Sequence, residues 1–208
     1  MRLLLLRHGQ TDWNAAERYQ GRTDIVLNAT GVLQAEEAAR RLTHEPVDAV
    51  YASPLGRARH TAEIAVQDRG LSITLDDGLM ETAGGEWEGL TYPEIAARWP
   101  EEFAAWRAAH PEHGPVGGET PGQAGQRVVQ TLLGFLAGRG DDHILVVAHG
   151  GCLRAATALL TGAGPQAYAD FERLQNGRLI VLEGSFATAA RAGEAPPCGA
   201  WNVVGYNV

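Results

Sequence analysis

The sequence predicts an α/β fold, a single-domain three-layer sandwich in which a mostly parallel sheet is flanked by helices. Two observations lead to this class. Short apolar runs alternate with longer stretches of helical period, which is typical of parallel strands joined by crossover helices. The 208 residues show no fixed repeat and no linker that separates two possible cores. Residues 1–208 are therefore expected to form one domain.

The expected strands are short apolar runs, and the expected helices follow capping residues. Ser53 and Pro54 suit a helix start, and capping boxes open the helices at 92 and 121. The polar loop over residues 9–28 is long enough to be functional. The predicted strands cover residues 3–6, 47–52, 73–75, 144–148, 179–182 and 201–204. The predicted helices cover residues 30–43, 54–69, 92–109, 121–138 and 152–161.

Composition and charge exclude several classes of protein. The chain has 17 basic and 25 acidic residues, a net charge of −8, so a nucleic-acid or anionic-membrane partner is not expected. Cys152 and Cys198 are too few for a disulfide framework and fit a reducing, cytoplasmic location. No apolar run is long enough to predict a signal peptide or a membrane span. A homodimer through an exposed sheet edge is an expected assembly.

Three polar residues fall at equivalent points of the predicted sheet. His8 follows the first strand, Arg57 lies in the first helical turn after the second, and His149 follows the fourth. Ligands of open α/β sheets bind at this carboxyl edge, where helix N-termini favour anions. Arg7 adds a second guanidinium group, whose planar fork of donors matches phosphate oxygens. The pattern therefore predicts a phosphate site.

The residues that carry this pattern also carry a family resemblance. Residues 7–11, Arg-His-Gly-Gln-Thr, with Asn14 close by, resemble the signature of the histidine phosphatase superfamily, which includes phosphoglycerate mutases and small-molecule phosphatases. The resemblance covers roughly residues 1–160. Further motifs of the family are similar, in order, to Gln20-Gly21 with Asp24 and Leu27, the run from Ser53 to Ala62, Glu81 with residues 85–89, and His149-Gly150-Gly151.

The resemblance implies a phosphatase of small phosphorylated metabolites that works through a phosphohistidine. His8 would be the nucleophile, and Glu81 would be the proton donor, although Glu86 and Glu88 lie close to it in sequence. The remaining catalytic residues would be Arg7, Arg57 and His149. The substrate-binding residues implied are Arg7, Asn14, Gln20, Gly21, Arg57, His149 and Gly150.

Two alternatives to a phosphatase stay open. A cofactor-dependent phosphoglycerate mutase would need extra chain to enclose the phosphohistidine, whereas the stretch 81–149, with Gly117-Gly118-Glu119-Thr120, resembles the shorter phosphatase version. A non-catalytic, regulatory phosphate-binding protein is the alternative of another class. No cofactor and no metal are expected, because no His-Glu-x-x-His spacing is present and arginines would repel a cation.

Overall fold

The computed structural model describes residues 1–137, 139, 142–184 and 201–208. Within them, six strands form one sheet in the order β3-β2-β4-β1-β5-β6. The pairs β1–β4, β2–β4 and β2–β3 are parallel, while β5 runs antiparallel to β1 and β6 antiparallel to β5. The strands are β1 (Arg2–Arg7), β2 (Ala49–Ala52), β3 (Ile73–Leu75), β4 (His143–Ala148), β5 (Leu179–Gly184) and β6 (Trp201–Tyr206).

Helices cover both faces of this sheet, which confirms the predicted α/β sandwich. The helices are α1 (Asp12–Ala15), α2 (Ala29–Leu42), α3 (Gly56–Ala65), α4 (Tyr92–Arg98), α5 (Pro100–Arg107), α6 (Pro121–Leu136) and α7 (Gly150–Leu160). Successive residues of β1 point to opposite faces: Leu3 and Leu5 pack in the core under α6 and α7, and Leu4 and Leu6 pack in the core under α2 and α3. No helix in these described ranges is long and apolar enough to cross a membrane.

Two predicted helices differ from the observed ones. The helix predicted over 92–109 is divided into α4 and α5 at Trp99, which has non-helical φ and ψ of −137° and 69°. Pro100 explains the break, because the residue before a proline is pushed out of the helical region. The helix predicted from Pro54 begins at Gly56, and its N-cap residue Leu55 has no side-chain cap. Ser53 therefore does not cap α3.

The loop after β1 packs directly on the start of α2. Asn28 caps this helix by accepting a hydrogen bond from the backbone N–H of Gly31 at 2.9 Å. A Cβ atom on Gly9 would lie 2.2 Å from the carbonyl oxygen of Gly31. Glycine at both positions allows the two backbones to touch, and this contact holds the chain that follows His8 against the helical layer. Cys198, the second cysteine of the sequence, lies outside the described residues.

Candidate active site

The predicted site residues come together at the carboxyl ends of β1, β2 and β4. They surround a cavity of about 310 Å³, lined by Arg7, His8, Asn14, Gln20, Gly21, Arg57, Glu81 and Gly150. His149 does not line the cavity. It is fully buried, and its ring centroid lies 5.1 Å from that of His8. One edge of the sheet thus collects residues from distant parts of the chain.

His8 is a buried, neutral imidazole with one nitrogen available for chemistry. Its Nδ1 atom lies 2.6 Å from the carbonyl oxygen of Gly9. Because a carbonyl oxygen can only accept, Nδ1 carries the proton and Nε2 holds a lone pair. Burial, together with the charges of Arg57 and Arg7, lowers the pKa of His8 well below 6.5. Asn176 donates to the carbonyl oxygen of His8 at 3.0 Å and holds its backbone.

His149 is a second buried, neutral imidazole, and its ring contacts that of His8. Its Nε2 atom forms a hydrogen bond of 2.8 Å with the hydroxyl group of Ser53, which accounts for the missing cap on α3. Burial lowers the pKa of His149 well below 6.5, and the charge of Arg57 adds to this effect. Its Nδ1 atom has no hydrogen-bond partner among the residues that the structure describes. The pair of rings therefore adds no charge to the site at neutral pH.

Arg7 and Arg57 bring the positive charge to the cavity floor. Both are buried, and carbonyl oxygens hold them: Leu174 accepts from Arg7 at 2.6 Å, while Thr23 and Gly21 accept from Arg57 at 2.8 Å each. Burial lowers the pKa of Arg7 to about 10 and also lowers that of Arg57, so both stay cationic at neutral pH. Their Nε atoms have no partner in the described ranges. The two guanidinium groups are arranged to receive an anion.

Glu81 lies across the cavity, against the first turn of α7. Its carboxylate accepts hydrogen bonds from the backbone N–H groups of Thr82 at 2.9 Å, Cys152 at 3.0 Å and Gly151 at 3.2 Å. A Cβ atom on Gly151 would lie 2.9 Å from the Glu81 carboxylate, so glycine keeps room for this contact. The N-terminus of a helix favours a negative charge at this position.

Glu86 and Glu88, the two glutamates close to Glu81 in the sequence, do not line the cavity. Glu86 is exposed to solvent. Glu88 accepts hydrogen bonds from the backbone N–H groups of Arg22, Thr23 and Gly84. Burial opposes the charge on Glu88, but these hydrogen bonds and one from the Thr23 hydroxyl lower its pKa overall. Of the three glutamates, only Glu81 lines the cavity.

The amide side chains of Asn14 and Gln20 are oriented by Thr11. The Oδ1 atom of Asn14 accepts from the Thr11 N–H at 3.1 Å and from Asn176 at 3.2 Å. The Oε1 atom of Gln20 accepts from the Thr11 hydroxyl at 2.8 Å. Both amide oxygens are thus used within the protein, which leaves the NH₂ ends as the donors toward the cavity.

A salt bridge that sequence reasoning missed braces the segment around Glu81. Arg127 on α6 binds Glu119 through two hydrogen bonds of 2.8 and 2.7 Å, and its remaining nitrogen donates to the carbonyl oxygens of Gly78 and Met80. Glu119 also accepts from the N–H of Ala83 at 3.2 Å. The chain is therefore held on both sides of Glu81. No motif or periodic spacing in the sequence signals this pairing.

The rest of the cavity is lined mostly by aromatic and basic side chains. Trp106 packs against Trp87 at 5.8 Å between ring centroids and also faces the cavity. Within the described part of the chain, no three His, Cys, Asp or Glu side chains form a cluster that could hold a metal ion. The remaining residues that line the cavity are Arg18, Tyr19, Thr82, Tyr92, Arg107, Ala109, Pro121, Gly151, Arg154, Tyr168 and Arg173.

Comparison with known proteins identifies the class to which this fold and site belong. Residues 3–188 match the model of the histidine phosphatase superfamily (branch 1). The chain therefore belongs to this superfamily, as the motifs around His8 and His149 predicted.

Several of its relatives are phosphatases by name. A glucosyl-3-phosphoglycerate phosphatase of Mycolicibacterium vanbaalenii is 37% identical over 169 residues, which is 77% of this chain and 74% of the relative. Phosphoserine phosphatase 1 of Hydrogenobacter thermophilus is 31% identical over 162 residues, 78% of this chain and 77% of the relative. Among solved structures, the mycobacterial glucosyl-3-phosphoglycerate phosphatase in complex with VO3 has a TM-score of 0.88 at 30% identity, covering 99% of this chain and 98% of that one.

Proposed function

We propose that the protein hydrolyses small-molecule phosphate monoesters through a phosphohistidine formed on Nε2 of His8. One observation carries this proposal. A neutral imidazole presents its lone pair at the floor of a cavity that also holds two buried arginines and a single carboxylate. Such an arrangement combines a nucleophile, charge stabilisation and an acid in one place.

The first half-reaction transfers the phosphoryl group to the protein. Nε2 of His8 attacks phosphorus, and the bond to the ester oxygen breaks. Glu81, in its acid form, gives its proton to that oxygen, and the alcohol leaves. Arg7 and Arg57 stabilise the charge on the equatorial oxygens. The Nδ1–H bond to Gly9 keeps His8 in the tautomer that this attack requires.

The second half-reaction returns the protein to its starting state. A water molecule attacks the phosphorus atom of the phosphohistidine while the Glu81 carboxylate accepts a proton from it. The bond between phosphorus and Nε2 breaks, the electron pair returns to His8, and inorganic phosphate leaves. Both steps need Glu81 at the same position, which its hydrogen bonds to Gly151 and Cys152 maintain.

Among the other predicted site residues, Asn14, Gln20 and Gly150 are proposed to bind the phosphoryl group, and Gly21 to hold Arg57. Asn14 and Gln20 offer the NH₂ ends of their oriented amides. Glu81 occupies the N–H groups of Gly151 and Cys152, so Gly150 supplies the next backbone donor of the same turn. Gly21 contributes through its carbonyl oxygen, which fixes Arg57.

The names of the relatives favour a phosphatase over a phosphoglycerate mutase. A non-catalytic phosphate-binding protein has no use for a nucleophile paired with an acid. We also propose that the protein is cytoplasmic and has no nucleic-acid partner. It would form a homodimer through an edge strand of the sheet, for which β6 is one candidate.

The test is phosphate release from a panel of small phosphate monoesters, including 3-phosphoglycerate, in the presence of a chelator. The wild type is compared with His8→Ala and with Arg59→Gln, which changes an exposed arginine that pairs with Glu63. We expect release by the wild type and by Arg59→Gln, and none by His8→Ala with an unchanged fold. Isomerisation without release would identify a mutase. Binding without turnover would identify the non-catalytic alternative, and activity of His8→Ala would refute the mechanism.

A further inference from the structure

The side chain of Asn176 binds the loop that carries His8. Its Nδ2 atom donates to the carbonyl oxygen of His8 at 3.0 Å, to the carbonyl oxygen of Gly9 at 3.3 Å and to the Oδ1 atom of Asn14 at 3.2 Å. An amide NH₂ group has two hydrogens, so the three acceptors share them. All three belong to a short stretch of chain that lies 162 to 168 positions before Asn176.

The residue after Asn176 binds the same loop through its backbone. The N–H of Gly177 donates to the carbonyl oxygens of Arg7 at 3.1 Å and of His8 at 3.3 Å. Gly177 has a φ of 70°, and a Cβ atom there would lie 2.8 Å from the Cβ atom of Gln34. Glycine allows the chain to turn at this point. The turn therefore fixes where the Asn176 amide meets the loop.

The carbonyl oxygen of Gly9 links Asn176 to the imidazole ring of His8. It accepts from Nδ1 of His8 at 2.6 Å and from Nδ2 of Asn176 at 3.3 Å. A carbonyl oxygen has two lone pairs, so it can accept both bonds at once. The bond from Nδ1 keeps Nε2 of His8 unprotonated, and Asn176 holds the oxygen that accepts this bond. Asn176 thus acts on the proposed nucleophile through the backbone.

The same amide determines which end of Asn14 is free. The Oδ1 atom of Asn14 accepts from the N–H of Thr11 at 3.1 Å and from Nδ2 of Asn176 at 3.2 Å. If the Asn14 amide turned over, its NH₂ group would face these two donors and both bonds would be lost. The NH₂ group of Asn14 is therefore left for an anion in the cavity.

We propose that Asn176 is a positioning residue of the reaction, which holds His8 and Asn14 relative to each other so that one phosphoryl group meets both. This inference rests on the proposed phosphatase function. Asn176 does not line the active-site cavity, whereas His8 and Asn14 do. Its effect reaches the phosphoryl group only through the two residues that it holds.

Asn176→Asp tests the proposal with a change of charge but not of size. A carboxylate cannot donate, so it repels the two carbonyl oxygens and favours an Asn14 amide that is turned over. With p-nitrophenyl phosphate, whose leaving group needs no proton from Glu81, we expect kcat/KM to fall by about 10- to 100-fold. Gln175→Glu adds the same charge at the neighbouring exposed position and should cause a much smaller loss. Equal losses in the two variants would overturn the proposal.

A double-mutant cycle separates positioning from a general effect on the fold. Asn176→Ala removes the donor without adding charge, and Asn14→Ala removes the amide that it orients. We expect the loss of kcat/KM in the double variant to be at least about threefold smaller than the product of the two single losses. Asn14→Ala combined with Gln175→Ala is the control, in which the losses should multiply. Multiplied losses in the first cycle would refute the proposal.

Binding of inorganic phosphate, measured by calorimetry, distinguishes failure of this inference from failure of the proposed function. The function fails if the wild type shows no His8-dependent hydrolysis of any ester. Phosphate binding needs no turnover, so it tests Asn176 in either case. We expect Asn176→Asp to bind phosphate about tenfold more weakly than Gln175→Glu, with thermal unfolding showing that both variants are folded. Equal affinities would reject Asn176 as a positioning residue, and no binding by the wild type would refute both proposals.

Discussion

Arg127 and Glu119 form two parallel hydrogen bonds of 2.8 and 2.7 Å, and together they fix the chain on both sides of Glu81. Arg127 holds the carbonyl oxygens of Gly78 and Met80, which precede Glu81. Glu119 holds the N–H of Ala83, which follows it. The pair does not line the cavity. We therefore expect this pair to position Glu81, the proposed acid.

Replacing Arg127 with Gln should slow the reaction through the position of Glu81. Because misplacement of a catalytic group by about 1 Å costs up to roughly 100-fold, we expect kcat for an alkyl phosphate to fall by about 10- to 100-fold with a smaller change in KM. The loss should be smaller for p-nitrophenyl phosphate, whose leaving group needs no proton. Arg127→Lys should recover little, since lysine cannot form both parallel bonds. Equal losses for the two substrates would indicate a general structural effect.

Replacing Glu81 with Gln removes the proton donor but keeps its size. We expect about 10²- to 10⁴-fold lower kcat for alkyl phosphates and a much smaller loss for p-nitrophenyl phosphate. Glu86→Gln is the matched control, because Glu86 lies in the same glycine-rich segment and is exposed. Steady-state kinetics of the three proteins on both substrates provide the measurement. If the loss did not depend on the leaving group, Glu81 would not be the acid.

Activity should persist at pH values where an ordinary histidine is protonated. The pKa of His8 is lowered well below 6.5 by burial and by Arg57 and Arg7, so the nucleophile remains neutral as the pH falls through 6.5. We expect kcat/KM, corrected for ionisation of the substrate, to show no loss at pH 6.5 and to decline only further into the acidic range. A midpoint near 6.5 would show that His8 titrates as an exposed histidine.

Stability should fall at acidic pH for the same reason. His8 and His149 both have lowered pKa values in the folded protein, so the unfolded state takes up their protons first, below pH 6.5. The loss continues until the pH reaches the folded pKa values. Each histidine should therefore contribute to a loss of stability between pH 7.5 and 5.5.

Urea unfolding in phosphate-free buffer measures this dependence. The variants His8→Gln and His149→Gln should each make the free energy of unfolding depend less on pH, whatever their stability at pH 7.5. The exposed His60 provides the control, since His60→Gln should leave the dependence unchanged. A wild type and a His8→Gln variant with identical pH dependence would contradict the expectation.

A chelator should not reduce activity. In the proposed mechanism Arg7 and Arg57 supply the positive charge for the phosphoryl oxygens, and neither forms a salt bridge within the described residues. We expect the same rate before and after dialysis against EDTA, and no increase when Mg²⁺ or Zn²⁺ is added. Loss of activity with recovery on addition of one metal would place a metal ion in the mechanism.

The location of the site could be predicted from the sequence because it depends on strand direction. His8 and His149 each follow an apolar run, and parallel strands end at one edge of the sheet. Arg57 follows β2 by a few residues and reaches the same edge. The division of the 92–109 helix could also have been anticipated from Pro100, because proline acts on the residue before it.

The supporting contacts could not be predicted in this way. Asn176 is 168 positions from His8 along the chain, and Ser53 is 96 positions from His149. Such pairs depend on how helices and loops pack, and no local pattern of residues in the sequence indicates that packing. Ser53 also matched a local signal, helix capping, that the tertiary structure overrides in favour of a buried histidine. Local patterns therefore predicted the groups that we propose to react and missed the residues that orient them.

The reversed direction of β5 has a consequence for how this protein can diversify. Because β5 runs antiparallel to β1, the segment before it, residues 171–178, arrives at the same edge as His8. That segment supplies Arg173 and Asn176 but none of the reacting groups. The side chains that this segment brings to the cavity can therefore change without any change in the strands β1 and β4, whose ends position His8 and His149.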